Sequence, residues 1–276
     1  MSEYLSGLPG KKHAELEQEL SSLYEGCCTH ESRLTTRDLS DDLSWIEELI
    51  KAIYEEKGMP EDWDGASTKY FLEKLWSGIT KGYGADLTEV DVDSEDFKML
   101  ESLRRDVVRF SSAKDYQMQR AMTEALLDEN GKLRTFSQFK LHAYEITNSH
   151  TQSWLQAEYD LSIASAQMAS TWADIQENKE LFPLLEYDAV IDSHTSNICL
   201  SLDGVKLPPD DHFWDEYYPP NHFNCRAGVK QQSRGKATDR STIVYPDRVP
   251  AIFKVNLAKR GLAYPPEHPY YKGFTQ

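Results

Sequence analysis

Residues 188–229 read DAVIDSHTSNICLSLDGVKLPPDDHFWDEYYPPNHFNCRAGV, and this stretch decides the fold class. Turn chemistry is dense in it. Asp203-Gly204, Pro208-Pro209 and Pro219-Pro220-Asn221 punctuate apolar runs too short for helices. The spacing predicts strands over 187–191 (YDAVI), 204–207 (GVKL, one arm of a hairpin) and 225–231 (CRAGVKQ). Gly204 suits a tight turn because glycine accepts a positive φ. Asp192 with Thr195 three residues on predicts an Asx-type turn. Trp214, Tyr217 and Tyr218 beside Pro219-Pro220 form an aromatic–proline cluster able to pin a loop that has no regular structure. Trp214 is expected beneath the proline turn, with Cys199 and Cys225 close together. Arg226 is expected to pair with Asp192 or Asp203 through a bidentate contact.

Upstream the texture is helical. Apolar residues at helical spacing predict helices over 10–26 (Leu16, Leu20, Leu23) and 43–57, the latter capped by Ser40 or Asp41 and stopped by Gly58. A third spans 66–82 and ends at GYGAD, and two more cover 95–110 and 113–128 up to the DENGK turn. The polar stretch from Cys27 to Asp42 reads as a linker. The longest helical pattern is 135–178, with Ser137 as its cap and a break near Thr147–Thr151, where polar and β-branched residues cluster. Ala164, Ala166, Ala169 and Ala173 predict a close neighbour there. The class is therefore α+β: a helical N-terminal part with a long helix, then a small irregular β-containing module at 185–240, closed by the Pro/aromatic loop. The Pro-rich, aromatic tail at 241–276 is expected to wrap over it.

The 276 residues carry 30 Lys/Arg against 46 Asp/Glu, a net charge of −16. The imbalance sits in front: residues 1–130 hold 15 basic against 29 acidic side chains, and 181–276 hold 11 of each. An acidic front repels phosphate backbones and suits basic protein surfaces. The run Lys230, Arg234, Lys236, Arg240 is the one basic cluster and reads as a solvated face. At 39% hydrophobic the chain can build a core, and no apolar run approaches the roughly 18 residues of a membrane span. No secretory signal is visible at the start, so an intracellular protein is expected.

The four cysteines are Cys27, Cys28, Cys199 and Cys225, which is no disulfide scaffold. His194 with Cys199, and His222 with Cys225, are zinc-ligand types, and the second pair has knuckle-like spacing. The first pair is loose for a zinc signature. Three readings stay open: buried thiols in an irregular core, a Cys199–Cys225 disulfide, and a metal site of His194, Cys199, His222 and Cys225. The first is preferred, so no metal and no cofactor are expected. Cys199 or Cys225 with His222 could also form a nucleophile pair, but nothing in the sequence fixes an oxyanion hole. No phosphate-cradling Gly-rich loop, HExxH or GxSxG occurs.

The order of these residues resembles a known family. Asp192, Thr195, Cys199, Leu202, Asp203 and Gly204 are followed by Pro209, Asp211, Phe213, Trp214 and Asp215. Pro219, Pro220, Asn221, Asn224, Cys225 and Arg226 complete the series. This pattern, with SWLQAEYDLSIASAQMASTW upstream and VPAIFKVNLAKRG…HPYY downstream, resembles the phage Mu protein F-like minor head proteins, also called phage head morphogenesis proteins. The likeness is detailed over 130–273, looser from about 65, and without a motif over 1–60. It divides the chain into an acidic helical region at 1–130 and a Mu F-like domain at 131–276. Cys225-Arg226-Ala227 stands where the family often has Cys-Arg-Cys, and Ser196-Asn197-Ile198 where many members have Cys or Arg. Both departures weigh against a closed metal site.

The resemblance implies a protein without enzymatic activity, carried in few copies in the head of a tailed phage or prophage. It would bind portal and other head proteins and help head assembly or genome delivery. It would be made in the host cytoplasm, with no membrane partner and with DNA contact confined to the assembled head. Its signature would be structural: Asp192, Thr195, Cys199, Asp203, Gly204, Trp214, Pro219, Pro220, Asn221, Cys225 and Arg226. Some relatives carry a C-terminal toxin domain such as an ADP-ribosyltransferase; none is expected here, since the family tail runs to the last residues given. The rival reading is a metal-dependent hydrolase or nuclease using the His/Cys set.

Overall fold

The computed structural model describes residues 11–25, 43–61 and 65–275. Cys27, Cys28, the expected linker and the caps at Ser40 or Asp41 lie outside the described residues. The front half is helical: α1 (Lys11–Glu25), α2 (Ser44–Glu56), α3 (Ala66–Tyr83) and α4 (Glu95–Glu124). Leu20 of α1 is fully buried, and Trp45, Ile46, Leu49, Ile50 and Ile53 form the buried stripe of α2. α2 ends one residue before the expected stop. Lys57, not Gly58, takes the left-handed conformation (φ 56°), and its ammonium lies 3.4 Å over the Tyr54 ring.

The two helices expected over 95–128 are one helix of 30 residues, α4. Ser111-Ser112 does not interrupt it, because the Ser112 hydroxyl bonds back to the Val108 carbonyl (2.9 Å) within the helix. Ser94 caps its start by accepting from the Phe97 N–H, and Glu95 and Asp96 favour the positive end of its dipole.

The long pattern at 135–178 is α5 (Phe136–Asn148), a wide π turn over Ser149–Ser153, and α6 (Trp154–Asn178). The expected break is that π turn; Thr147 just before it and Thr151 within it bond back through their hydroxyls to the Ala143 and Thr147 carbonyls. The cap is Thr135, not Ser137: Thr135 and Gln138 form a reciprocal capping box, the pattern that Thr-x-x-Gln offers. Ala166 and Ala169 of α6 are fully buried, and the close neighbour is α3. Its Gly78 and Gly82 let the backbones meet: a Cβ on Gly82 would sit 2.2 Å from the Ile163 carbonyl oxygen.

After α6 comes a three-stranded antiparallel sheet of order β2-β1-β3, built from β1 (Leu184–Asp188), β2 (Lys206–Leu207) and β3 (Gly228–Gln232). The strands exist where expected but are displaced. β1 begins three residues early and ends at Asp188, where β3 runs out at Gly228; β2 keeps only the last two residues of GVKL. Val190 and Ile191 are left outside the sheet and exposed.

The tail docks on the helices. Asp106 of α4 accepts both the Ala263 and Tyr264 N–H groups (2.9 Å each). The Tyr264 ring stacks on Phe110, and its hydroxyl lies 2.5 Å from Ser162 of α6. Tyr270 and Tyr24 both donate to the buried Glu158, beside Lys114. One hydrophobic core thus runs from Leu20 to Tyr270.

Candidate functional site

The chain leaves β1 at Asp188 and is first held by Asp203, whose carboxylate accepts the Ala189 N–H (2.9 Å). It then turns at Asp192–Thr195 as the Asx pattern requires. Asp192 Oδ1 accepts the His194 N–H (2.8 Å), and the Thr195 hydroxyl accepts the Asp192 N–H (2.7 Å) while donating to the Val190 carbonyl (2.6 Å). The free side of the Asp192 carboxylate takes Arg226 in a bidentate pair, 2.7 and 2.5 Å. Of the two partners expected for Arg226, Asp192 is the one used. Arg226, then the His194 N–H, holds the Asp192 carboxyl well below the usual carboxylate range.

A short helix unread in the sequence follows, α7 (Asn197–Leu202), capped by Ser196, which accepts the Cys199 N–H. Ser-Asn-Ile-Cys is a passable capping signal, but six residues give too little periodicity to register. α7 delivers Cys199 and Leu202 to the interior. Gly204 then turns at φ 74°, its N–H bonded to the Tyr187 carbonyl, and the chain enters β2.

Trp214 lies in α8 (Phe213–Tyr217) and is 1% exposed. Its indole N–H donates to the Pro208 carbonyl (2.9 Å), and its ring meets Phe213 and Tyr218 edge-on. Tyr218 leads into Pro219-Pro220, a cis peptide, and its hydroxyl reaches back to the Met168 carbonyl of α6 (3.0 Å). The aromatic–proline cluster therefore pins the loop to the long helix. Asn256 of the tail closes the other side by donating to the Trp214 carbonyl (3.0 Å).

The last turn, Asn221–Cys225, is buried and polar. Asn221 accepts the Tyr187 hydroxyl (2.9 Å). His222 Nδ1 donates to the Phe223 carbonyl (2.7 Å), which leaves Nε2 as the acceptor, 2.8 Å from the Ser196 hydroxyl. Asn224 takes a left-handed conformation (φ 58°), so that Cys225 folds back and its N–H meets the His222 carbonyl. Cys199 Sγ ends 3.7 Å from Cys225 Sγ and 3.2 Å from His222 Nε2, with both cysteines free thiols. The hydrogen bond with Cys225, then burial, pushes the Cys199 thiol far up. His194 stays exposed at the rim of a small crevice that Ser196, Cys199 and His222 also line.

Three of the four candidate ligands are thus brought together, and His194 is not among them. Tyr187 and Ser196, which help hold this arrangement, are not marked as site residues in the sequence read alone; for Tyr187 the signal is the buried alternation of β1, hidden by its displaced start. In the basic run, Lys230 pairs with Asp188 and Arg240 with Asp211.

Residues 117–230 match the family model described as phage Mu protein F like protein, a span that contains every signature residue from Asp192 to Arg226. Over 78 residues the chain is 32% identical to the putative capsid assembly protein F of Escherichia phage Mu, covering 28% of this chain and 18% of that one. Over 77 residues it is 38% identical to the Mu-like prophage FluMu F protein of Haemophilus influenzae, covering 26% and 19%. The matches thus span under a fifth of the length of these curated relatives. No solved structure matches the chain.

Proposed function

We propose, with the phage Mu protein F-like segment at 117–230 as the premise, that this chain is a capsid-associated assembly protein of a tailed phage or prophage. The observation that carries the reading is that match, lying over a module whose signature residues are spent on closing turns. Asp192 and Arg226 clasp the two ends of the loop; Asp203 and Asn221 bond to β1 and its exit; Trp214 fills the interior. Such a module offers a surface of fixed shape, which suits binding to other head proteins. The portal is the partner we assign, and the protein acts there without turnover, during head morphogenesis and genome delivery.

Charge supports this assignment. The front half, with 29 acidic against 15 basic side chains, opposes free DNA and favours a basic protein surface. Contact with DNA would then be confined to the assembled head, and the protein would reach it from the host cytoplasm.

Co-expression with the portal and major head proteins of the same phage, followed by affinity capture of this chain, tests the reading. A stoichiometric complex with the portal protein is expected. Capture of neither head protein, by a chain that melts cooperatively, would contradict it.

A further inference from the structure

We propose that Cys199, His222 and Cys225 bind a single zinc ion through two thiolates and one imidazole, tying α7 to the turn that leads into β3. The three donor atoms lie within 4.8 Å of one another, and all three side chains are buried. A tetrahedral zinc with bonds of about 2.3 Å to sulfur and about 2.0–2.1 Å to nitrogen sets a sulfur–sulfur edge of about 3.8 Å and a sulfur–nitrogen edge of about 3.5 Å. The observed sulfur–sulfur separation is 3.7 Å, and the sulfur–nitrogen separation of 3.2 Å needs only a small opening.

The histidine is already oriented for the role. Its Nδ1 proton is committed to the Phe223 carbonyl, so the lone pair on Nε2 faces Cys199 Sγ. A backbone acceptor on the far nitrogen is the usual support of a metal-bound imidazole. The turn His222-Phe223-Asn224-Cys225 presents two ligands from one knuckle, with the left-handed Asn224 making the reversal. The third ligand comes from α7, across 26 residues of chain. Zinc would therefore close the loop that Asp192 and Arg226 clasp at its outer end. On binding, each thiol releases its proton to solvent, and the Ser196 hydroxyl gives up Nε2 while still capping α7.

Beside the donors Cys199 and His222 lies a crevice also lined by His194, Ser196, Asn224 and Arg226. Its volume is about 10 Å³, room for about one water and none for a substrate. The ion is thus a cross-link. The loose His194–Cys199 spacing counts against a metal only if those two are ligands together; in the fold Cys199 meets His222 and Cys225 instead, and His194 is left at the rim.

The test uses the full chain with Cys27→Ser and Cys28→Ser, so that Cys199 and Cys225 are the remaining thiols. The protein is purified under reducing conditions, stripped with a chelator and titrated with cobalt(II), then zinc. Expected are one cobalt per chain, thiolate-to-cobalt charge-transfer absorption with the strong ligand-field bands of a tetrahedral site, and displacement by one equivalent of zinc. Zinc should protect both thiols from alkylation. His222→Gln in the same background should keep the thiols and lower zinc affinity by more than the ~10–100-fold typical of lost outer-shell partners. Cobalt absorption by the unmutated chain gives a readout that does not depend on any variant folding. Folded protein that binds no cobalt, or thiols equally reactive with and without zinc, would overturn the proposal.

Discussion

Replacing Gly82 by alanine sets two effects of opposite sign against each other. Gly82 lies in the last turn of α3, where alanine is favoured over glycine by about 1 kcal/mol of helix propensity. Its Cβ, however, would meet the backbone of α6: the Ile163 carbonyl oxygen at 2.2 Å, Cα at 2.8 Å and carbonyl carbon at 2.9 Å. Carbon pairs are at rest near 3.5–4.0 Å, so α3 must withdraw by about 1 Å. No rotamer change relieves a clash with main chain. The withdrawal disturbs packing against Ser162 and Tyr159, which already lie under Gly78. Overpacking costs about 1–3 kcal/mol and the contact here belongs at the upper end, so the net loss is about 2 kcal/mol. For a chain of this size that lowers Tm by about 4–8 °C. Thermal unfolding followed by circular dichroism measures it, with Gly58→Ala as the control, since nothing lies within 4 Å of a Cβ there. Gly82→Ala at or above wild-type stability would show that propensity wins, and that α3 and α6 are not in backbone contact.

Trp214→Ala should cost about 3–5 kcal/mol in denaturant unfolding, from the emptied volume and the orphaned Pro208 carbonyl; an unchanged midpoint would place the ring outside the core. Lys114→Met should cost about 3–5 kcal/mol, because it strands Glu158, fully buried, with only tyrosine donors. Adding Glu158→Gln should restore part of that loss, and a double variant no better than the single one would contradict the pairing. Burial raises the Asp106 carboxyl to about 6, with the Tyr264 and Ala263 N–H groups and Arg109 opposing only in part. The unfolded chain ionises near 3.9, so the native state prefers the protonated form. The Asp106 contribution to stability is full below about pH 4 and falls as pH rises to about 6, by roughly 3 kcal/mol. Asp106→Asn should therefore gain on wild type between pH 4 and pH 7; a difference independent of pH would contradict the assignment.

Helix positions and the class were legible because Leu16–Leu23, Ile46–Ile53 and the 135–178 pattern repeat at the helical period. The missed features are those that periodicity does not encode. Ser111-Ser112 looks like a break only until the Ser112 hydroxyl is given the Val108 carbonyl to bond. The close approach to α6 comes from Gly78 and Gly82 on a different helix, whereas the alanines that mark it in the sequence lie on α6 itself. Asp106, Lys114 and Glu158 carry charges, and nothing local marks them as buried; the tail that buries them lies about 110–160 residues away in sequence. In the candidate site, turn chemistry foretold the Asp192–Thr195 turn and the Arg226 clasp. The meeting of Cys199 with His222 depended on α7, too short to read.

The proposed capsid-assembly role is tested most directly by mass spectrometry of gradient-purified heads, stripped of tails and produced by the host whose genome encodes this chain. The chain is expected in those heads at a few copies per particle, co-sedimenting with the portal. Its absence from both procapsids and filled heads, in particles that hold the portal and major head protein, would contradict it.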